Sequence, residues 1–538
     1  MANPSLQIGN GKFAIKENDL LGYSSLGTKF FPIPITMTRA TLGTRVNPSG
    51  LVEDVALLGS ELVSCGDFAC ADPNAEWTEG TGWTISGGKA THTGATGNLS
   101  QDVGIGGKAI FLTFDILSIA DGVCNVYDIS NATTYASFST TGTKTLYFQS
   151  VSNSIGFRSN STNVSIDNIS VKEATLDGLA RVDYTDGTGS LLVEPQRANL
   201  IPYSEDLTNG FYLSADLETV TESTTLSPDG TSYGYTITPT SSAFRHYFNY
   251  EYGQLTVVIG DEVTYSIFVK PNGYNFIQIA SSSGFTARYQ NFELTGNGVI
   301  GTGDVNGKTI EKIGDWYRCS VTETSTGVNP RFLLLTSETA LATRNPVYSG
   351  NATDGVLGWG VQVEVGSYPT SYIKTQGSSV TRNQDEYTKT GISDKINSEE
   401  GVLFVEMAAL SDDNTDRRIT LSDGLALNNT IIIGISRFTG NINAEVYSSG
   451  VLQTSGFAAT GVTQTNNNKF ALSWGSGTMK FYVNGSPTSS QTGITSPTGL
   501  DSLKFSLGND TLNLLAKVKQ LQVFKTALSD TELATLTT

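Results

Sequence analysis

The sequence predicts an all-β protein of tandem β-sandwich modules, and three observations carry that expectation. Gly supplies 57 of 538 residues, Ser and Thr are abundant, and charged residues make up only 16%. Apolar residues fall in short runs separated by Gly, Asn, Asp and Ser, at the ~8–12-residue spacing of sandwiches and barrels. Long stretches of 3.6-residue periodicity are almost absent. The chain is too long for one hydrophobic core, so several units are expected.

Internal repetition divides the chain. TRATLGTRVNPSGLVEDV begins at Thr38 and ARVDYTDGTGSLLVEPQRANL at Ala180; both hold Arg-Val, a Gly-containing turn and Leu-Val-Glu. The blocks they open also end alike, in VSIDNISVKEA (164–174) and GWGVQVEVGS (358–367). Repeats of this kind mark related structural units. The expected organisation is a first sandwich over 60–174 and a second, larger one over 175–388. A polar, aperiodic linker at 383–398 leads into a final sandwich in the block 389–538.

In the second unit, Val263, Tyr265, Ile267 and Val269 are placed on one strand face. Pro271 and Gly273 stop that strand. Trp359, Val361, Val363 and Val365 are assigned one face of another strand. Asn306-Gly307 carries a hairpin signal. In the last unit, Phe470, Leu472 and Trp474 alternate before a GSGT turn, and Met479, Phe481 and Val483 alternate after it, ahead of Asn484-Gly485. Leu503, Phe505 and Leu507 give a further half-buried strand, and Ser529 with Glu532 has capping-box spacing for a short closing helix. Residues 1–59, Gly-rich with Pro32 and Pro34, are too short for a core of their own. They are expected to be an anchor or assembly arm that folds against a partner.

With 33 Lys+Arg against 51 Asp+Glu, the formal net charge of −18 lacks the basic footprint that nucleic acid requires, and an anionic membrane would repel it. No apolar run approaches the roughly 18 residues of a membrane span, and the N-terminal residues lack the basic-then-apolar pattern of a secretory signal. Cys65, Cys70, Cys124 and Cys319 make no disulfide framework in so long a chain. Free thiols and synthesis in a reducing cytoplasm are expected, with a Cys65–Cys70 bridge within a loop as the alternative.

Several segments carry a family resemblance. SPDGTSYGYTI (227–237), YSIFVKPNG (265–273), GDWYRCSVT (314–322), GVQVEVGSYPTSYIKT (360–375) and VTR (380–382) occur in that order. The series is similar to the carbohydrate-binding-module-like jelly rolls of phage tail and fibre proteins. ALSWGSGTMKFYVNG (471–485) and LQVFKTALSDTEL (521–533) resemble the laminin-G/concanavalin-like lectin sandwich. TRATLGTRVNPSGLVE (38–53) looks like the opening of phage structural proteins that bear such modules. The resemblance implies tandem jelly rolls followed by a concanavalin/laminin-G-like sandwich, in a virion component that touches surface glycans. The first sandwich departs from the pattern, having no Trp-Tyr-Arg strand.

Catalytic patterns are sparse. Only His92 and His246 are present, the first in a THTG turn expected at the surface, the second between aromatics. Neither offers a nucleophile–base–orienter arrangement or zinc-ligand spacing. GIGGK (104–108) and GNGK (9–12) lack the full phosphate-loop pattern and read as turns. Calcium is the cofactor that the oxygen-rich SDDNTD loop would suit, through Asp412, Asp413 and Asp416. Sugar contact uses aromatic faces with polar neighbours. The candidates are Tyr247, Tyr250, Phe285, Arg288 and Tyr289, and Tyr482 with Asn484, although aromatics on strands are more often core. Trp359 and Trp474 are assigned to cores.

These features point to a non-enzymatic bacteriophage adhesin, tail- or fibre-associated, that contacts host-surface glycans and joins other virion proteins through its N-terminal arm. A homo-oligomer is expected, with a trimer the natural guess for a fibre. The alternatives are a purely structural head-fibre, decoration or tail-wall protein, and a glycan-degrading enzyme, for which two suitably placed carboxylates suffice.

Overall fold

The computed structural model describes residues 2–9, 13–16, 19–26, 29–94, 96–160, 163–214, 218–250, 253–435, 441–454 and 458–538. Its regular elements are almost all strands, with a four-residue helix at Pro73–Glu76 and a short one near the end, Asp530–Thr537, capped by Ser529 and Glu532 in the reciprocal arrangement their spacing predicts. The chain divides into two units. Unit 1 collects Met1–Val55, Asp177–Arg197 and Arg382–Thr538, and unit 2 collects Ala56–Leu176 and Ala198–Thr381.

Unit 1 is a sandwich assembled from three separate stretches of sequence. Strand Ala516–Phe524 pairs with Gly401–Ala409, with Ser190–Val193 and, from the N-terminus, with Leu6–Gly9. Strand Glu386–Lys389 lies between Lys29–Thr38 and Ser502–Lys504. Leu6, Ile8, Leu20, Ile35 and Met37 are buried in one core with Leu403, Val405, Phe470, Trp474, Leu521 and Val523. The N-terminal residues are therefore integral strands, not a separate arm. They do have too little core of their own, and the strands that complete it come from Ser190–Val193 and from beyond residue 385 in the same chain. The stretch 383–398 is likewise no linker. Asp385 and Tyr387 are buried, and Ile392 and Ile396 enter the core. Its Asp385 is paired with Arg39 and Arg181 inside the fold, which composition alone does not reveal.

Asn484 and Gly485 both have positive φ and turn strand Thr478–Val483 into Ser486–Thr492, as their sequence predicts. Of the GNGK turn, Gly9 has a positive φ of 77°, and residues 10–12 lie outside the described residues.

Unit 2 holds two sandwiches. In the first, Gly142–Gln149, Ala109–Ile119, Val164–Thr175, Ala90–His92 and Trp83–Ile85 face a sheet of Thr133–Phe138, Cys124–Asp128, Ser154–Ser159, Gly97–Asp102 and Thr78–Glu79. Phe114, Phe138 and Phe157 meet edge-to-face in its core. Cys65 and Cys70 form a disulfide here, because the loop folds back until their Cα atoms are 5.6 Å apart. This overturns the free-thiol expectation for that pair, whereas Cys124 and Cys319 are free and buried. His92, expected in a surface turn, is buried with its ring 5.2 Å from that of Trp83.

The second sandwich stacks two six-stranded sheets. One runs Tyr212–Ser214, Tyr247–Tyr250, Phe332–Ser337, Phe276–Ser281, Tyr289–Glu293, Val299–Gly303; the other is centred on Gly355–Val365 and Glu262–Asn272. Val263, Tyr265, Ile267 and Val269 all enter the core between them, as alternation predicts. Trp359 does not share a face with Val361 and Val363. Gly360 takes φ +65° beside an irregularity in the pairing, and Trp359 packs instead against Phe268 and Tyr372. Asn306-Gly307 does not close a hairpin: the strands it joins, Val299–Gly303 and Gly307–Ile313, lie in different sheets.

Candidate functional site

A concave feature with a sugar-like lining lies in unit 2. It is a cavity of about 180 Å³ between the turn after Thr133–Phe138 and segments around Tyr203, Tyr233 and Lys374. Small hydroxyl residues dominate its wall, among them Thr141, Thr143, Thr145, Thr231 and Ser232. Their short side chains follow from turn and strand-edge positions, where Ser and Thr satisfy local backbone groups.

Charge inside the cavity is arranged by specific bonds. Glu205 forms an ion pair with Lys374 at 2.8 Å and accepts a hydrogen bond from the Tyr372 hydroxyl at 3.1 Å. Lys374 Nζ also donates to Thr145 Oγ1 at 2.7 Å. Burial raises the Glu205 pKa above the usual carboxylate range, and the Lys374 charge opposes that shift. Burial lowers the Lys144 pKa, against the pull of Glu222 and Asp206, while its ammonium donates to Thr140 Oγ1 and to the Thr141 carbonyl. Tyr233, 46% exposed, stands at the mouth, and Tyr235 is buried behind it. The arrangement offers an exposed ring, several hydroxyls and fixed charges to a polar ligand of small size.

None of the residues singled out from sequence lines this cavity. Tyr250 is core, its hydroxyl donating to the Pro330 carbonyl at 3.0 Å. Phe285 is core as well, 4.6 Å from the Phe332 ring. Arg288 is engaged by Asn306 and lies 3.8 Å from Glu323. Tyr482, expected to be exposed, is buried under the closing helix with Leu528 and Leu533. Asn484 is spent on the facing strand Asn468–Gly475, accepting from Lys469 N at 2.9 Å and donating to Asn468 Oδ1 at 2.8 Å.

In the SDDNTD loop, Asp413 pairs with Arg417 at 2.5 Å and Asp416 with Arg418 at 2.9 Å. Both carboxylates are thus already balanced by guanidinium groups, and Asp412 is half-buried beside them. No group of three or more metal-ligating side chains occurs among the described residues.

Tyr247 and Tyr289 are the two candidates that share one face of one sheet. They pack on opposite sides of Ala280, Leu333 and Leu335, on the face of their sheet that points away from the core. His246 beside them is buried, its Nε2 3.1 Å from the Tyr348 carbonyl. The cavity itself was missed because its walls come from turns and strand ends up to 239 positions apart, from Ser137 to Gln376. The Thr-rich TTGTKT stretch at 140–145 was the one sequence signal available.

A family model described as the concanavalin A-like lectin/glucanases superfamily matches residues 405–534. Among solved structures, the CBM40 of a Ruminococcus gnavus IT-sialidase is 18% identical, with 26% of this chain and 84% of that chain covered and a TM-score of 0.23. The tandem CBM22-1–CBM22-2 domain of Paenibacillus barcinonensis Xyn10C is 13% identical, with coverages of 57% and 98% and a TM-score of 0.22. Domains LG4-5 of the mouse laminin alpha1 chain are 12% identical, with coverages of 52% and 85% and a TM-score of 0.19. No curated protein matches the chain.

Proposed function

We propose that the chain is a non-enzymatic adhesin of a bacteriophage particle that holds surface glycans in the cavity of unit 2. The observation that carries the proposal is the cavity lining, where the exposed Tyr233 ring, a wall of Thr and Ser hydroxyls and the tethered Glu205–Lys374 pair meet in one recess. Sugars are bound by that combination, an aromatic face against the ring and fixed polar groups on its hydroxyls. The concanavalin-type match over 405–534 agrees with it in fold class. Phage origin rests on the resemblance of 38–53 and 227–382 to tail and fibre proteins. As a fibre component the protein acts as a homo-oligomer, a trimer, and light scattering at micromolar concentration tests that.

The direct test is a glycan array probed with the full chain and with Tyr233→Ala. Binding that weakens several-fold in the variant supports the cavity, since one aromatic contact contributes about 0.5–1.5 kcal/mol. An array with no bound glycan removes the adhesin reading and leaves the purely structural one.

A second reading, glycan cleavage, is favoured by a single observation: the raised pKa of Glu205 in a cavity that also holds Asp206 and Glu222. Lys374 and Tyr372 already occupy that carboxylate, which suits a fixed binding group better than a proton donor. Release of reducing ends from a bound glycan, abolished in Glu205→Gln, would establish cleavage instead.

A further inference from the structure

The chain is acidic overall, yet one face of its second sandwich gathers three arginines. Arg245 precedes strand Tyr247–Tyr250, Arg331 precedes strand Phe332–Ser337, and Arg344 lies in the segment that follows it. Strand alternation sends Arg331, Leu333 and Leu335 to the outer face, because Phe332 and Leu334 lie in the core. Arg245 stands 5.8 Å from the centre of the Tyr247 ring. Arg344 Nη2 donates to the Ser281 carbonyl at 2.6 Å, next to Ala280, while its Nε is buried with no hydrogen-bond partner. Asn249, with its amide turned to satisfy both neighbours, accepts from Arg331 Nε at 2.6 Å.

Among the described residues, none of the three arginines forms an ion pair, whereas Arg39, Arg45, Arg181, Arg382, Arg417 and Arg418 all do. Burial and then the positive charge of Arg245 lower the Arg344 pKa, with Asp304 opposing. Like charges held together without an ion pair of their own are relieved by an external anion, and a guanidinium fork suits a planar carboxylate. Tyr247 lies beside Arg245 with a ring able to meet a sugar.

We infer that this face is a second glycan site, selective for an acidic sugar whose carboxylate is held by Arg245 and Arg344 and whose ring lies against Tyr247. The inference rests on the glycan-binding reading for its ligand class but not on the cavity.

The test titrates the full chain with oligogalacturonate and with sialyllactose, each beside its neutral counterpart, the carboxyl-reduced oligomer and lactose. At least one acidic ligand should bind about tenfold or more tighter than its counterpart, with affinity falling as salt rises. Arg245→Gln, at an exposed position, should remove most of that preference, and Arg344→Gln likewise, while Tyr233→Ala in the cavity leaves it unchanged. Equal affinity for acidic and neutral forms overturns the inference, as does acidic binding that survives both arginine variants or is lost only in Tyr233→Ala. If neither acidic ligand binds while neutral glycans are retained on the array, this site fails and the adhesin reading stands.

Discussion

Two hairpins of unit 1 carry the same short motif in opposite surroundings. In the first, Gly43–Val46 pairs with Val52–Val55; in the second, Val182–Asp183 pairs with Ser190–Val193. The repeated Arg-Val…Leu-Val-Glu pattern sets Arg45 against Glu53 in one and Arg181 against Glu194 in the other. Both pairs form, at 2.6 and 2.7 Å. The Arg45–Glu53 side chains are 23% and 35% exposed, the Arg181–Glu194 side chains 0% and 4%.

What separates them is the neighbourhood. The first hairpin is a two-stranded sheet by itself, while strand Ser190–Val193 also pairs with Ala516–Phe524 in the main sheet. Around Arg181 the sandwich brings in Asp385, which also binds Arg39 at 2.8 Å, and Arg382, which binds Glu194 at 2.9 Å. Burial opposes the Arg181 cation, but Asp385 and Glu194 outweigh it and raise its pKa above the ordinary arginine value. Arg39 is lowered, chiefly by burial, with the Asp385 charge opposing and the Arg181 charge adding. The network ties together residues 39, 181–194 and 382–385, where the chain enters and leaves unit 1. One motif thus yields a surface ornament in one copy and an internal tie in the other.

The contrast can be broken most forcefully at the buried acid. Glu194→Ala takes from Arg382 its buried carboxylate and from Arg181 one of two, and should cost about 3–5 kcal/mol, read as a shift in denaturant midpoint of the unit 1 transition. A cost below about 1 kcal/mol would make the two hairpins equivalent. Next is Gly43→Ala, whose added Cβ would lie 2.9 Å from Arg181 Cδ and from Arg39 Cζ and Nε. Because those side chains are pinned by Asp385, the overpacking should cost about 1–3 kcal/mol in the same measurement.

Glu53→Ala, the exposed counterpart of the first change, should cost no more than about 1 kcal/mol and lose even that in concentrated salt. The smallest effect belongs to Asp186 in the turn of the second hairpin. Burial works to raise its pKa, but hydrogen bonds from Lys519 and Thr188 prevail and hold it below the usual carboxylate value. A carboxyl lowered in the folded state adds stability above its unfolded pKa, and that stability is lost as pH falls through the folded value. Asp186→Asn should therefore cost only a few tenths of a kcal/mol at neutral pH, given the partial exposure of the pair. The difference from the wild type should vanish well below pH ~4, where both states are protonated.

Much of the local architecture was legible. Alternating residues 263–269, the hairpin at Asn484-Gly485 and the capping box at Ser529 and Glu532 all behave as their spacing predicts. Each depends only on residues a few positions apart. The candidate sites were far less legible. Tyr482 alternates with Phe481 and Val483, which implied exposure, yet the helix Asp530–Thr537 covers that second face. Asp412, Asp413 and Asp416 form an acidic run in sequence, but Arg417 and Arg418 turn back upon it. Tyr247 and Tyr289 lie 42 positions apart, and only the strands between them set them on one face.

By itself, the sequence determined that the protein is all-β, that its strands alternate, where many turns fall, and that two blocks share a motif. These follow from period-2 side-chain placement and from turn chemistry, which act over a few residues. Only the tertiary structure decided that strands within residues 6–38 complete a sandwich whose other strands lie at 182–193 and beyond residue 385, and that the polar stretch at 383–398 sends Asp385, Tyr387, Ile392 and Ile396 inside. It also decided which copy of the repeated Arg–Glu pair is buried. A strand's pattern specifies that one face must be covered but not by which segment. That partner is selected by the summed burial and pairing of the whole chain.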